Sequence, residues 1–299
     1  MKSALFKVLN LKKPRRVFDY IVENSSQVLP SKSAVKKAFK KKQILINGLV
    51  ATTGDWLKEG DDVSYEVGEI NLQKVFPLDL EVLFEDEFIA VINKPAGYSV
   101  SGNFHKTIQN ALSHNLRIST QIDALPIFRP VHRLDKLTTG ILLIAKTKSA
   151  QISFGKQFEL HEISKTYYAL VKGKLEGFGF FDQAIEGLSS FTEFKSLKIE
   201  KSLSYNWVSL VELKPKTGRT HQLRIHLAKA GFPIIGDYVH DTENVLRGKG
   251  LFLAACEIEF IHPQTNEKNS FKISRPNKYN SLLERENRRW EKFNSLANI

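Results

Sequence analysis

Apolar and polar positions change period several times along the chain, and each change predicts an element. Leu80-Glu-Val-Leu-Phe84 and Phe88-Ile-Ala-Val-Ile92 are short apolar runs flanking the acidic turn Glu85-Asp-Glu87, and predict two strands. Ile141-Leu-Leu-Ile-Ala145 is apolar throughout, as a strand buried on both faces would be. From Ser164 onward, alternation sends Tyr167, Ala169 and Val171 to one side of a strand and Tyr168 and Leu170 to the other. Ala150, Phe154 and Phe158 recur every four residues and mark one face of an amphipathic helix. A helix is predicted over residues 107–116 and a loop over 117–127. Leu223, Leu227 and Ala230 give the inward face of a short helix that Thr220 could cap and Gly231 ends.

The amino-terminal pattern is different. Residues 1–13 are basic and short of pattern, and predict a mobile arm. Residues 14–67 read as a small unit, with a helix through Val17, Phe18, Tyr20 and Ile21 and then Ser31 as an N-cap. The helix from Lys32 to about Lys42 sets Lys32, Lys36, Lys37, Lys40, Lys41 and Lys42 around a thin stripe of Ala34, Val35, Ala38 and Phe39. Ile44 to Val50 reads as a hairpin, because Asn47-Gly48 accepts the positive dihedrals of a tight turn. Residues 68–78 predict a linker, 79–279 the main domain, and 280–299 a helical tail with Leu282, Leu283, Trp290 and Phe293 docked on its own protein.

Composition narrows the partners. A chain of 299 residues with 42% hydrophobic content can bury a large core and a small one. Its net charge of +12 points to a polyanion, nucleic acid ahead of an acidic membrane surface. The apolar stripe of the lysine-rich helix is too narrow for a membrane-surface helix. The single cysteine, Cys256, forms no internal disulfide, and no apolar run approaches the roughly 18 residues of a membrane span. A cytoplasmic monomer is expected, without membrane or small-molecule cofactor, since Gly-rich phosphate loops and Cys clusters are lacking. No metal is expected either: His221 and His226 are five apart, off the spacing that puts both on one helix face.

Two stretches concentrate the chemistry. Phe128-Arg-Pro-Val-His-Arg-Leu-Asp-Lys-Leu-Thr-Thr-Gly140 sets one carboxylate, Asp135, among Arg129, His132, Arg133 and Lys136, just before the buried strand. Such an acid is expected to stay ionised, either as a plain counter-charge in a polar loop or as a functional group. Lys214-Pro-Lys-Thr-Gly-Arg-Thr-His-Gln-Leu-Arg-Ile-His226 joins a strand end, a Gly turn and the short helix, with Thr220, His221 and Arg224 on one face.

The string Arg-Pro-Val-His-Arg-Leu-Asp with Thr-Thr-Gly resembles the catalytic motif of the RluA-type pseudouridine synthases, although Thr139 replaces the usual Ser. Lys94-Pro-Ala-Gly97, the Lys-x-Tyr-x-Ala pattern at Tyr167, and Gly-Arg-Thr-His-Gln-Leu-Arg ending at Arg224 extend the resemblance over roughly residues 14–279. His240 stands where Tyr is usual, Ala254 where His is usual, and Ser101-Gly102 where His-Pro is usual. The resemblance implies an α+β fold: a mixed, mainly antiparallel sheet with flanking helices and a central cleft. The amino-terminal unit resembles the alpha-L RNA-binding domain. Implied roles follow. Asp135 is the catalytic carboxylate, Arg224 its partner, Tyr167 the residue stacking on the uracil and helping to remove the proton from C5, and Arg133 the side chain filling the gap left by the flipped base. His132, Arg219, Lys36, Lys37 and Lys40 are further expected RNA contacts. Isomerisation of uridine in large-subunit ribosomal RNA is the leading expectation. A transfer RNA substrate and a catalytically silent RNA-binding or ribosome-assembly protein are the alternatives.

Overall fold

The computed structural model describes residues 2–8, 11, 13–25, 29, 31–66, 75–241 and 248–297. They form two compact units, divided at Leu72–Gln73.

The first unit contains β1 Lys2–Lys7, β2 Arg15–Arg16, α1 Val17–Asn24, α2 Lys32–Lys40, β3 Ile44–Ile46, β4 Leu49–Val50, β5 Trp56–Leu57 and β6 Asp62–Glu66. A four-stranded sheet runs β1-β6-β3-β4, and β2 pairs with β5. The expected mobile arm is therefore corrected: residues 2–7 add an antiparallel strand to β6. That pairing is made by backbone groups, which leave no periodic trace in so short a basic segment. Ser31 caps α2, its Oγ accepting from Ala34 N at 3.1 Å. The helix ends at Lys40, two residues short of expectation, where Lys42 turns to φ 57°. Asn47 and Gly48, at φ 52° and 82°, close the β3–β4 hairpin. Val17, Ile21, Val35, Ile44, Leu57 and Val63 are buried at the centre, leaving Lys36, Lys37 and Lys40 exposed. Residues 68–74 of the expected linker lie outside the described residues.

The second unit contains β7 Glu81–Glu85, β8 Ile89–Lys94, α3 Ile108–Asn115, β9 Ala124–Pro130, β10 Thr139–Thr147, α4 Lys148–Glu159, β11 Ser164–Lys172, β12 Phe178–Phe181, β13 Thr192–Ser202, β14 Asn206–Pro215, α5 Gln222–Lys229, β15 Leu253–Ile261, β16 Lys268–Lys272 and α6 Lys278–Ala297. A 10-stranded sheet runs β12-β13-β14-β11-β15-β10-β8-β7, with β9 on β10 and β16 on β15. Among the described residues every strand pair in it is antiparallel except β10 with β15, so the α+β reading with a large, mainly antiparallel sheet holds. The continuous apolar run of β10 has its reason here. Leu142 and Ile144 face the core that α3, α5 and α6 cover, while Ile141, Leu143 and Ala145 face the core that α4 covers. One expectation needs correction: part of the loop 117–127 is strand β9, an outer strand that tolerates Pro126 and Pro130 because it pairs only with β10. In α6, Tyr279, Leu282, Leu283 and Glu286 are buried, whereas Phe293, expected to dock, is 58% exposed. Among the described residues no helix is long and apolar enough to cross a membrane.

Candidate active site

Asp135 lies on the turn between β9 and β10, and the turn is fixed from several directions. Val131 N donates to Leu143 O at 3.1 Å, and Leu143 N donates to His132 Nε2 at 3.0 Å, so the motif is tied to the buried strand. Beneath the turn, the fully buried Lys94 ammonium donates to Thr138 O at 2.8 Å, Pro95 O at 2.9 Å and Lys136 O at 3.3 Å. Burial pulls the Lys94 ammonium down to about 8, against the opposing pull of Asp135. Gly140 ends the turn at φ 119°, and a Cβ there would lie 2.0 Å from Ala255 O, so only glycine lets β10 run beside β15.

The partner of Asp135 comes from α5. Arg224 Nη1 donates to Asp135 Oδ2 at 3.1 Å. Two more of its donors go to a residue that the sequence analysis gives no site role: Nε and Nη2 donate to Asp237 Oδ2 and Oδ1 at 2.7 and 2.6 Å. Asp237 is fully buried at its side chain and also accepts from Val239 N and His240 N, at 3.1 and 3.3 Å. Burial alone would raise its carboxyl, yet the guanidinium and the two amides hold it below the ordinary range. The bidentate clamp fixes the guanidinium plane and turns Nη1 toward Asp135, which is 18% exposed. Arg224 thus contacts Asp135 while Asp237 serves as its main counter-ion.

Asp135 opens on a cleft of about 270 Å³ lined by Arg133, Lys165, Tyr167, Arg219, His221 and Leu253, among others. Tyr167, on β11, is buried, and burial followed by the Asp135 charge pushes its phenol far above the ordinary value. Lys165 lies beside it, its ammonium drawn down by burial and placed over the Phe158 ring at 5.6 Å. Arg133 is exposed at the wall. Arg219 also lines the wall, its Nε donating to Ser189 O at 3.1 Å. His132 reaches the cleft too, but burial and the Lys165 charge push its ring down to about 3. By accepting from Leu143 N the ring pins the motif to β10.

The start of α5 differs from expectation. Thr220 does not cap it; His221 occupies the cap position at φ 54° with no side-chain cap bond. Gln222 instead pins the neighbouring loops, donating to Phe191 O and Thr192 Oγ1, both at 3.0 Å, and accepting from Thr217 Oγ1 at 2.7 Å. The buried His226 is equally structural, within hydrogen-bond reach of Ser190 Oγ, Thr192 Oγ1 and Gln183 O. Among the described residues no group of three or more His, Cys, Asp or Glu side chains is placed to hold a metal ion.

Residues 88–229, which include Asp135, Tyr167 and Arg224, match the family described as RNA pseudouridylate synthase. The chain is 30% identical to the Nitrosomonas europaea protein named ribosomal large subunit pseudouridine synthase D, over 81% of this chain and 77% of that one. It is 32% identical to the Vibrio parahaemolyticus tRNA pseudouridine synthase C, over 70% of this chain and 96% of the relative. The chain belongs to the RNA pseudouridylate synthase family. Pseudouridine synthases are isomerases that convert uridine to pseudouridine in RNA. The solved structure of Human RNA Pseudouridylate Synthase Domain Containing 1 shares this pseudouridine synthase fold, with a TM-score of 0.55 and 26% identity over 66% of this chain and 83% of that one.

Proposed function

We propose that this synthase isomerises uridine in large-subunit ribosomal RNA with Asp135 as its catalytic carboxylate. The observation that carries the reading is the Asp135–Arg224–Asp237 arrangement at the floor of the cleft, which gives one carboxylate a fixed direction and an open face. The reaction breaks the bond from uracil N1 to the ribose, turns the ring, and joins C5 to the same carbon. The C5 proton leaves and N1 gains one, so atoms balance without redox chemistry. Asp135 supplies the nucleophile toward sugar or base, or the base toward a sugar proton. Arg224 orients it. Tyr167, buried in the cleft wall, stacks on the uracil. Arg133, exposed at the wall, fills the place of the extruded base, and Arg219 holds backbone phosphate.

The amino-terminal unit is proposed to be an RNA-binding module of the alpha-L type. Lys36, Lys37 and Lys40 project from α2, and no ion pair to them is found among the described residues, which leaves them free for phosphate. Large-subunit RNA is preferred over transfer RNA because an attached RNA-binding unit suits a large structured substrate.

A pseudouridine map of ribosomal and transfer RNA, made in cells lacking the chain and complemented with wild type or Asp135→Ala, tests all of this. Large-subunit sites that vanish on deletion and return only with wild type are the expected result. Sites restored by Asp135→Ala would remove Asp135 from the chemistry, and sites lost only from transfer RNA would replace the substrate.

A further inference from the structure

The left-handed backbone at His221 swings its ring between Asp135 and a second imidazole. His221 Nδ1 lies 3.0 Å from His240 Nε2, and His221 Nε2 lies 3.8 Å from Asp135 Oδ2. The two rings meet edge to face at 85°. A hydrogen bond between imidazole nitrogens needs one N–H and one lone pair, so two arrangements of neutral rings exist. If His221 donated from Nδ1, its Nε2 would turn a lone pair toward the Asp135 carboxylate, setting acceptor against acceptor. If His240 donates from Nε2, His221 accepts at Nδ1 and carries its proton on Nε2, toward Asp135. Electrostatics selects the second arrangement.

His240 is held in place for this. Its backbone N–H donates to Asp237 Oδ1 at 3.3 Å, the carboxylate that also clamps Arg224. Burial lowers its imidazole from the ordinary range, with Arg224 and His221 adding to the effect and Asp237 and Asp135 opposing it. His240 donates to His221 only with a proton on Nε2, and the contact with His221 Nδ1 favours that arrangement.

We infer that His240 is a positioning residue: donating from Nε2, it fixes His221 in the Nε2–H tautomer and so provides Asp135 with a second N–H facing it beside Arg224 Nη1. Asp135 Oδ2 then has the Arg224 hydrogen bond at 3.1 Å and, at 3.8 Å, an N–H dipole turned toward it, both referred back to the 237–240 turn. The catalytic consequence rests on Asp135 being the reacting carboxylate; the hydrogen-bond direction does not.

The test reads the two separately. Two-bond proton–nitrogen NMR correlations of the full chain labelled in histidine nitrogen report which ring nitrogen of His221 bears the proton. Wild type is expected to show protonated Nε2 and bare Nδ1, and His240→Ala a mixture of tautomers. On ribosomal RNA isolated from cells lacking the chain, His240→Ala should lower kcat roughly tenfold at unchanged KM, as for a misdirected reacting group. His240→Gln, whose amide N–H can donate from a similar place, should restore most of the rate and the Nε2–H tautomer. A wild-type His221 protonated at Nδ1, or a His240→Ala protein with unaltered tautomer and rate, overturns the proposal. Equal losses in His240→Ala and His240→Gln with an unaltered tautomer also overturn it, assigning His240 to packing. If Asp135→Asn still forms pseudouridine, the catalytic consequence falls while the tautomer result stands on its own.

Discussion

At the scale of residues, the site is a problem of keeping a carboxylate directed but available. A single Arg locked onto Asp135 alone would stabilise its charge and weaken it as base or nucleophile. Asp237 prevents this by taking two of the three Arg224 donors that the site uses. Replacing Asp237 by Asn is therefore expected to act twice. Leaving a buried guanidinium without its main counter-ion should lower stability by about 3–5 kcal/mol, and releasing its plane should lower kcat by roughly 100-fold through misplacement of Asp135. Chemical denaturation and single-turnover assays measure the two. The pH dependence has a definite sign. Because the folded carboxyl is depressed, its contribution is fully present above the unfolded value of about 3.9 and is lost as pH falls through the lower folded value. Asp237→Asn should thus flatten the acid limb of the stability curve below about pH 4; an unchanged limb would mean that Asp237 is not the titrating group.

Tyr167 belongs to the same scale. If it stacks as a protonated phenol, Tyr167→Phe should keep kcat/KM within about tenfold, whereas Tyr167→Leu should lose a stack of about 1–3 kcal/mol. A Phe variant as poor as the Leu variant would put the hydroxyl into the proton transfer. Asp135, Tyr167 and Arg224 were legible in the sequence because each sits in a contiguous motif. Asp237 and Lys94 were not legible as site residues. Their partners lie 13 residues away on another element, or are main-chain carbonyls that carry no sequence signal. For His132, the motif position does not reveal that the ring also accepts from a backbone amide.

At the scale of elements, the strand after Asp135 sets where the carboxylate stands. β10 is antiparallel to β8 and β9 but parallel to β15, and the chain enters this junction at Gly140. Both the positive φ and the 2.0 Å approach to Ala255 O exclude a side chain. Gly140→Ala should therefore yield little folded protein, and any folded fraction should melt well below wild type and bind the target RNA without converting it. A variant with wild-type melting temperature and rate would contradict the close approach. The apolar run of β10 and the alternation of β11 could be read in advance because both faces of the sheet are covered in a regular way. β9 could not: its two prolines argue against a strand until its place on the outside of the sheet is known. β1 escaped for a related reason, being held by backbone pairing in a segment too short to show a period.

At the scale of the whole molecule, a net charge of +12 predicts strongly salt-dependent RNA binding, but it does not say where the phosphates lie. In the cleft Arg224 is neutralised by two carboxylates, which leaves Arg133 and Arg219 at the wall to meet phosphate, while Lys94 beneath the turn is spent on three carbonyls. That shifts the expected phosphate contacts to exposed side chains, among them Lys36, Lys37 and Lys40 on α2. Substituting these three by Gln removes charge without disturbing Val35, Ala38 and Phe39, which bury the opposite face of the helix. If all three meet phosphates, the slope of log affinity against log salt should fall by roughly 2, each contact accounting for about 0.7–0.9. Affinity at low salt should fall with it, while kcat on saturating RNA stays at the wild-type value, because the triple substitution leaves Asp135, Arg224 and Tyr167 untouched. Filter binding across a salt series, paired with single-turnover rates, separates the outcomes. An unchanged slope would assign the lysine face of α2 to solvation, and a lost kcat at an unchanged slope would mean that the first unit acts on the chemistry rather than on the grip.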